Sequence, residues 1–238
     1  MYRRQVGEHL LTFGVSGKLW KNALIMYDRE TGTLWSHLTG EAVWGPLKGE
    51  QLEPVTSVPK IKWSAWKEQY PNGQVLSIAG TEYVRYDNYR DYHRSKKTGL
   101  FAPGHTDKRL KEKDLVIGVM AGKHRKAYPL LEKQWKTGKK NVWNLIQDNI
   151  SDTQVVIYHN PDQYATGVWD RTLADGKVLE FAPITEGHYA KDNEGGEWNL
   201  LTGQGPDNQQ LKSLPHMNIY WFAWADFYPK TELYSPTR

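Results

Sequence analysis

Short strand-like runs separated by glycine-bearing turns dominate the hydrophobic pattern of this chain, the mark of hairpin-rich β-structure. Tyr2 to Thr12 reads as two short strands around Val6-Gly7-Glu8, and Phe13-Gly14-Val15-Ser16-Gly17 as a strand ending in a glycine-supported bend. Ala23 to Asp28 is apolar and unbroken, as in a buried strand. Thr31-Gly32 then reverses the chain into Leu34-Trp35-Ser36-His37-Leu38, with Gly32 supplying the positive φ of the loop. Gly40 to Pro59 is rich in Gly and Pro and predicts an ordered surface connection. From Lys60 the pattern turns helical: Trp63, Trp66 and Tyr70 fall at i, i+3 and i+7, and Pro71 closes the element. So short a helix is marginal alone, which predicts that its aromatic face docks on the sheet of its own repeat. Tyr83, Tyr86, Tyr89 and Tyr92 recur every three residues, a spacing that suits a 3₁₀ turn, an extended path or an irregular helix. Further on, Leu115 to Tyr128 reads as a hairpin turning at Ala121-Gly122, Pro129 to Trp135 as the start of a short helix, and Val155 to Tyr158 as a strand. Gly167 to Arg171 and Lys177 to Phe181 read as a hairpin over Ala174-Asp175-Gly176.

The stretch Glu30 to Pro71 is spelled again, in a worn form, from Glu194 to Pro229. Trp35 answers to Trp198, Leu38-Thr39-Gly40 to Leu201-Thr202-Gly203, and Gly45-Pro46 to Gly205-Pro206. Trp63, Trp66 and Tyr70-Pro71 answer to Trp221, Trp224 and Tyr228-Pro229. Anchors that agree in order imply an internal duplication. Upstream, Arg171 falls on Arg4 and Phe181 on Phe13, whereas Gly32 on Gly195 sets Asp28 against Lys191. Leu115 to Tyr164 has no counterpart in the first copy, which therefore reads as cut short at its N-terminus. The expected fold is mainly β (α+β): internally duplicated, hairpin-rich β-sheets or barrels, each with a short Trp-x-x-Trp helix packed on it. Residues 1–95 form the first repeat, 96–113 a linker and 114–238 the second, or the whole is one compact domain.

A chain of 238 residues has ample apolar surface for such a core. Eleven Trp and fourteen Tyr are many for this length. They suit pleated, half-buried sheet surfaces or an aromatic-lined ligand groove. The net charge of +4 is mild, and the basic runs Lys133 to Lys140 and Arg90 to Lys97 read as solvated faces, so no nucleic-acid partner is expected. With no Cys there is no disulfide, thiolate nucleophile or Cys-ligated zinc. No apolar run has the length of a membrane span and no signal-peptide pattern precedes the first strand.

Several of these motifs together resemble a bacterial family known as domain of unknown function 3179. They are Phe13-Gly14-Val15-Ser16-Gly17, Met26 to Thr31, Leu34-Trp35-Ser36, Thr39 to Ala42, Gly45-Pro46-Leu47, Trp63-x-x-Trp66, Arg109-Leu110, Lys113, Val116 to Val119, Lys126 to Pro129 and Phe222-Ala223-Trp224. The resemblance covers essentially the whole chain and implies no activity. Typical members carry a His-Glu segment and a Cys-Pro-Leu motif upstream of the first of these stretches, and neither is present here. Members often look exported, which implies an extracytoplasmic home.

Asp28, Arg29, Glu30 and His37 flank the Thr31-Gly32 hairpin, where Asp28 and Glu30, with pKa values pushed apart, could act as acid and base; the catalytic candidates are Asp28, Arg29, His37 and Glu41. Ser16 lacks the Gly-x-Ser-x-Gly spacing of a nucleophile elbow. The eight histidines show no zinc-type pair, and no phosphate-cradling glycine loop or dinucleotide fingerprint appears, so neither metal nor cofactor is expected. The leading expectation is a ligand-binding domain whose cleft lies between the repeats, with carbohydrate or another polar ligand stacked on Trp35, Trp44, Tyr86, Tyr89 and Trp198. The alternatives are a hydrolase or lyase using Asp28, His37 or Glu41 with Arg29, and a structural or assembly module.

Overall fold

The computed structural model describes residues 1–55, 58, 60–75, 89–130, 144–184 and 187–235. Strands β1 (Gln5–Val6) and β2 (His9–Leu10) form a two-stranded ribbon around Gly7, whose φ of +54° makes the turn. Strands β3 (Phe13–Trp20), β4 (Ala23–Asp28), β5 (Leu34–Ser36) and β6 (Ala42–Trp44) form an antiparallel meander in chain order. β3 does not end at the glycine bend. It bulges between Val15 and Leu19, where Gly17 takes a φ of +72°, and then resumes its pairing with β4. The Ser16 hydroxyl is spent inside this bulge, donating to the Ile25 carbonyl at 2.5 Å. Lys21 and Asn22, both at positive φ (50° and 59°), close the β3–β4 hairpin as a tight two-residue turn. The stretch expected to be only a surface connection contributes β6, because Ala42 and Trp44 pair with Trp35 and Leu34. Val6, Leu11, Trp35, Ala42 and Leu52 are the core of this half.

Two short helices follow, α1 (Trp63–Gln69) and α2 (Arg90–Arg94). The second half is layered. β7 (Leu115–Ala121) and β8 (His124–Pro129) form the predicted hairpin, and β9 (Asn144–Ile150), β10 (Thr153–Asn160) and β11 (Ala165–Asp170) a second sheet. β12 (Tyr189–Lys191) pairs with β13 (Glu197–Asn199). β14 (Lys212–Ser213) joins the edge of β11, while β15 (His216–Tyr220) and β16 (Glu232–Leu233) flank the β7–β8 hairpin on either side of helix α3 (Trp221–Phe227). The side-chain alternation of β10 explains the layering. Val155 and Ile157 face the β7–β8 sheet, packed with Ile117, Val119 and Tyr128, while Val156 and Tyr158 face a core of Leu179, Phe181, Trp198 and Leu200. A strand covered on both faces is buried without a break, and so β10 is from Val155 to Asn160. The far face of β7–β8 carries α3, with Trp221 and Trp224 fully buried.

Several expectations are corrected. The sheets are open, and among the described residues no closed barrel forms. Lys177 to Phe181 is not a strand, and it folds back on Arg171 to Leu173 only through the Thr172–Val178 bridge and flanking bonds from the Leu179 N–H to the Arg171 carbonyl and the Leu173 N–H to the Lys177 carbonyl. The reason is that β11 is already paired by β10 on one side and β14 on the other. Along residues 96–113, expected as a linker, Gly104 and His105 donate backbone N–H groups to Asp226, and the Trp221 indole N–H donates to the Asp107 carbonyl. Tyr83 and Tyr86, the basic run Lys133 to Lys140 and most of the helix expected from Pro129 to Trp135 lie outside the described residues.

The two Trp-x-x-Trp helices agree in backbone and differ in surroundings. Their capping residues Lys62 (φ −60°, ψ 142°) and Tyr220 (φ −69°, ψ 143°) match, and each closes on a Trp carbonyl through the N–H of Tyr70 or Tyr228. Yet α3 buries five residues and α1 buries only Ala65, leaving Trp63 54% and Tyr70 44% exposed. Trp63 and Trp66 stack on each other instead, with centroids 5.0 Å apart and planes at 16°. The docking expected for α1 is therefore absent among the described residues. α3 has the β7–β8 hairpin beneath it, and the first half has no described hairpin in the corresponding place. The α3 contact depends on Gly118 of β7, where an added Cβ would lie 2.3 Å from the Trp224 ring. We expect Gly118→Ala to cost about 1–3 kcal/mol by overpacking, read as a lower urea midpoint with an unchanged slope. An unperturbed midpoint would show that α3 is not seated as described.

Candidate functional site

The charged turn after β4 is a clasp. Asp28 is fully buried, and its carboxylate accepts the Trp35 indole N–H at 2.8 Å, the Thr31 backbone N–H at 2.5 Å and the Thr31 hydroxyl at 2.8 Å. Burial pushes the Asp28 carboxyl up, but the hydrogen bonds from Trp35, Thr31 and Thr33 outweigh it and hold the carboxyl below its ordinary value. Glu30 is also held low, by the hydroxyl and N–H of Thr12. Two carboxyls pulled down together are not an acid and base pushed apart. Asp192 makes a similar clasp in the second half: it accepts the Trp198 indole N–H at 2.9 Å and, in place of the Thr31 N–H and hydroxyl, the backbone N–H groups of Glu194 and Gly196 at 2.8 Å each. Asp192, next to Lys191, thus ties its indole as Asp28 ties Trp35. Each Trp also meets a phenylalanine edge to face, Phe13 at 5.9 Å and Phe181 at 6.2 Å. Trp35 and Trp198 are fully buried, so their rings are core contacts and offer no face to a ligand.

The halves meet through Lys21 at the tip of β3–β4. Its ammonium donates to the Asp226 carbonyl at 2.5 Å and lies 3.7 Å from the Asp226 carboxylate, while Trp20 meets Phe227 edge to face at 5.2 Å. Beside this contact runs a cleft. Its larger part, about 730 Å³, is lined by Tyr2, Trp20, Phe227 and Tyr228 and by Thr39, Glu41, Gln51, Arg125, Asp170 and Lys212. A smaller part of about 270 Å³ is lined by His37, Lys60, Thr166, His216 and Asn218. Both parts share Tyr2, Pro54, Met120 and Pro215. The Tyr2 hydroxyl donates to the Leu38 carbonyl at 2.8 Å, and burial, with the neighbouring Tyr228, pushes its pKa up to about 12. Tyr228 is raised as well, chiefly by burial. Both phenols are thus neutral hydrogen-bonding groups at ordinary pH.

His37 Nδ1 lies 2.7 Å from the Leu24 carbonyl, a partner that can only accept. This bond sets the tautomer and leaves Nε2 as the ring's remaining acceptor. Thr166 Oγ1 is 3.0 Å from His159 Nδ1 and receives Asn218 Nδ2 at 3.1 Å. Burial lowers the His159 pKa to about 4, so that ring is neutral near pH 7. Asn218 Oδ1 is buried with no hydrogen-bond partner among the described residues.

Of the sequence candidates, His37 and Glu41 line the cleft, while Asp28 and Arg29 line neither part. Arg29 is exposed and donates to the Phe13 carbonyl at 2.6 Å. Trp44 and Tyr89 are exposed, at 63% and 67%, away from the cleft lining, and Tyr86 lies outside the described residues. Sequence reasoning missed Tyr2, Trp20, Arg125 and Tyr228 as cleft residues. Only Tyr228 carried a signal, as the last member of the repeated Trp-x-x-Trp-x-x-x-Tyr face, and that spacing pointed to the core.

A family model described as "Protein of unknown function (DUF3179)" matches residues 1–231. The chain belongs to the DUF3179 family. No curated relative and no solved structure matches it. The stretches that carry the DUF3179 resemblance fall largely on framework. Asp28 and Trp35 form the clasp, Gly118 and Trp224 the helix contact, and Lys113 donates to the Tyr92 and Ser95 carbonyls with its ammonium over the Tyr92 ring. Among the described residues no helix is long and apolar enough to cross a membrane.

The clasp has a pH signature. A carboxyl held below its ordinary value of 3.8 contributes fully above that pH, and the contribution is lost as pH falls through the lower folded value. We expect Asp28→Asn to lower stability at neutral pH by about 1–3 kcal/mol, since an amide cannot accept from both Trp35 and the Thr31 N–H. The variant should also lose less further stability than the wild type in urea titrations below about pH 4. Parallel acid limbs would contradict the clasp.

Proposed function

We propose that the cleft beside the Lys21–Asp226 contact binds a polar, hydroxyl-rich ligand, with carbohydrate the leading class. One observation carries this reading: aromatic rings (Tyr2, Trp20, Phe227, Tyr228) and side chains of both charges (Glu41, Arg125, Asp170, Lys212) converge on one cavity of about 730 Å³. Ligand sites commonly occupy cavities of ~300–1,000 Å³ and combine apolar area with a few placed polar groups. Flat rings give area to a sugar face while Glu41, Gln51 and the phenols supply partners for hydroxyls.

The two walls of the cleft, on this reading, descend from one copied unit. Supporting this are the paired clasps of Asp28–Trp35 and Asp192–Trp198. Gln51 and Gln210 also reach the carbonyls of Thr39 and Thr202 alike, at 2.6 and 3.0 Å, beside Gly40 and Gly203 at φ +74° and +77°. The differing surroundings of α1 and α3 weigh against equivalence of the helices, so the case rests on the sheets and their loops. A hydrolytic reading of the same cleft draws on His37, whose Nε2 is an available acceptor, and on Glu41.

Calorimetric titration against a panel of neutral and acidic oligosaccharides, with intrinsic Trp fluorescence followed in parallel, tests the proposal. Trp20→Leu should weaken binding by about 3- to 10-fold, whereas Trp44→Ala, away from the cleft, should leave it unchanged. Product appearing in the same mixtures would convert the binding site into an active site. A panel with no binder, or a ligand lost with Trp44 and kept without Trp20, would overturn the cleft reading.

A further inference from the structure

We infer that the ligand of this cleft carries an oxyanion, a carboxylate, sulfate or phosphate group, received by Arg125 at the mouth of a cationic side pocket; the inference rests on the cleft reading above. Arg125 sits in β8 where the main cleft meets a second cavity of about 400 Å³, whose lining includes Lys123, His124 and Lys230. Its guanidinium is anchored at Nη1 before any ligand arrives. Nη1 donates to the carbonyls of Gly122 at 2.7 Å and His124 at 2.8 Å, and the group lies over the Tyr228 ring, 5.2 Å from its centroid.

These contacts occupy one end of the group. Nε is buried and has no hydrogen-bond partner among the described residues. The Tyr228 hydroxyl also lies within hydrogen-bonding reach of the guanidinium, beside the ring contact, and leaves Nε unpartnered. Nε and Nη2 form the side-on fork of an arginine, the edge that matches two oxygens of a carboxylate or phosphate. A buried guanidinium N–H without an acceptor is costly, and a small rotation toward an incoming oxyanion would satisfy it.

The surrounding charge points the same way. Among the described residues no carboxylate pairs with Lys123, Arg125 or Lys230, although ion pairs form elsewhere, as between Lys126 and Asp148 at 2.7 Å. The acid of this side pocket, Glu232, instead lies 4.0 Å from Lys126. An arginine anchored at one end and two exposed lysines, none within ion-pair distance of a carboxylate among the described residues, make a receptor for an anion, while Glu41 and Asp170 share the main cleft with Tyr2 and Trp20.

The test titrates the full chain with three probes in ~20 mM salt, where screening is weak: a neutral disaccharide, the same disaccharide ending in a uronate, and inorganic phosphate. The uronate form should bind about tenfold tighter than the neutral one, and Arg125→Gln should cut that preference below about twofold. Lys123→Gln/Lys230→Gln, confined to exposed side chains, should cut it about threefold and carries the test if the Arg125 variant fails to fold. Equal affinity of the two sugars, or a preference that survives these substitutions, overturns the oxyanion and leaves the cleft reading standing. Phosphate bound through Arg125 with neither sugar bound supports the oxyanion site and overturns the carbohydrate class. No binding of any probe overturns both.

Discussion

One buried carboxylate ties the molecule together. Asp226, in the last turn of α3, accepts the backbone N–H groups of Gly104 and His105 at 3.0 Å each and faces the ammonium of Lys21 at 3.7 Å. Three separate parts of the chain therefore meet at one side chain: the tip of the first sheet, the segment between the halves, and the helix that covers the β7–β8 sheet. A buried carboxylate needs such partners, since desolvation without them is expensive. The requirement works as a constraint on geometry. With Lys21 drawn to Asp226 and Trp20 against Phe227, the first sheet cannot slide over the second half without leaving a charge unpartnered.

The cleft is a consequence of that seating. Tyr2 and Glu41 come from the first half, Arg125, Asp170 and Tyr228 from the second, and they share one cavity because the Lys21 contact lies beside it. The clasps act one level down, by shaping the walls. Each uses an aspartate to tie a buried tryptophan to the turn that precedes it, so the strand after the turn leaves in a fixed direction. The motifs shared with DUF3179 are concentrated in this framework. The cleft side chains Tyr2, Trp20, Arg125 and Tyr228 lie outside the stretches that carry the resemblance.

Much of the fold was legible in the sequence because it rests on local chemistry. The β4–β5 turn at Gly32, the β7–β8 hairpin at Gly122 and both Trp-x-x-Trp helices follow from glycine position and apolar spacing. The misses have a common cause, which is partner choice at long range. Lys177 to Phe181 reads as a strand, yet the β11 edge it would need is taken by β14, a long-range partner invisible to spacing. The β9 sequence NLIQDNI carries too weak an alternation to be separated from loop, and it becomes a strand through β10. Asp28 looked like an acid because it is charged beside a glycine turn; its role is set by Trp35, seven residues on. Matching the two stretches on glycine hid the likeness of Asp192 to Asp28 by one position, because the second loop is one residue shorter between Asp and Trp. The cleft was least legible, since its residues are scattered along the chain from Tyr2 to Tyr228 and only the seating at Asp226 brings them together.

That seating is tested most directly by a double-mutant cycle on stability with Lys21→Met, Asp226→Asn and the double variant. If the ammonium and carboxylate hold the halves together as described, the two changes will be coupled by ~0.5–3 kcal/mol. Strict additivity, with single effects summing to the double within about 0.3–0.5 kcal/mol, would mean that the contact does not join the halves and that the cleft has no fixed shape to recognise a ligand.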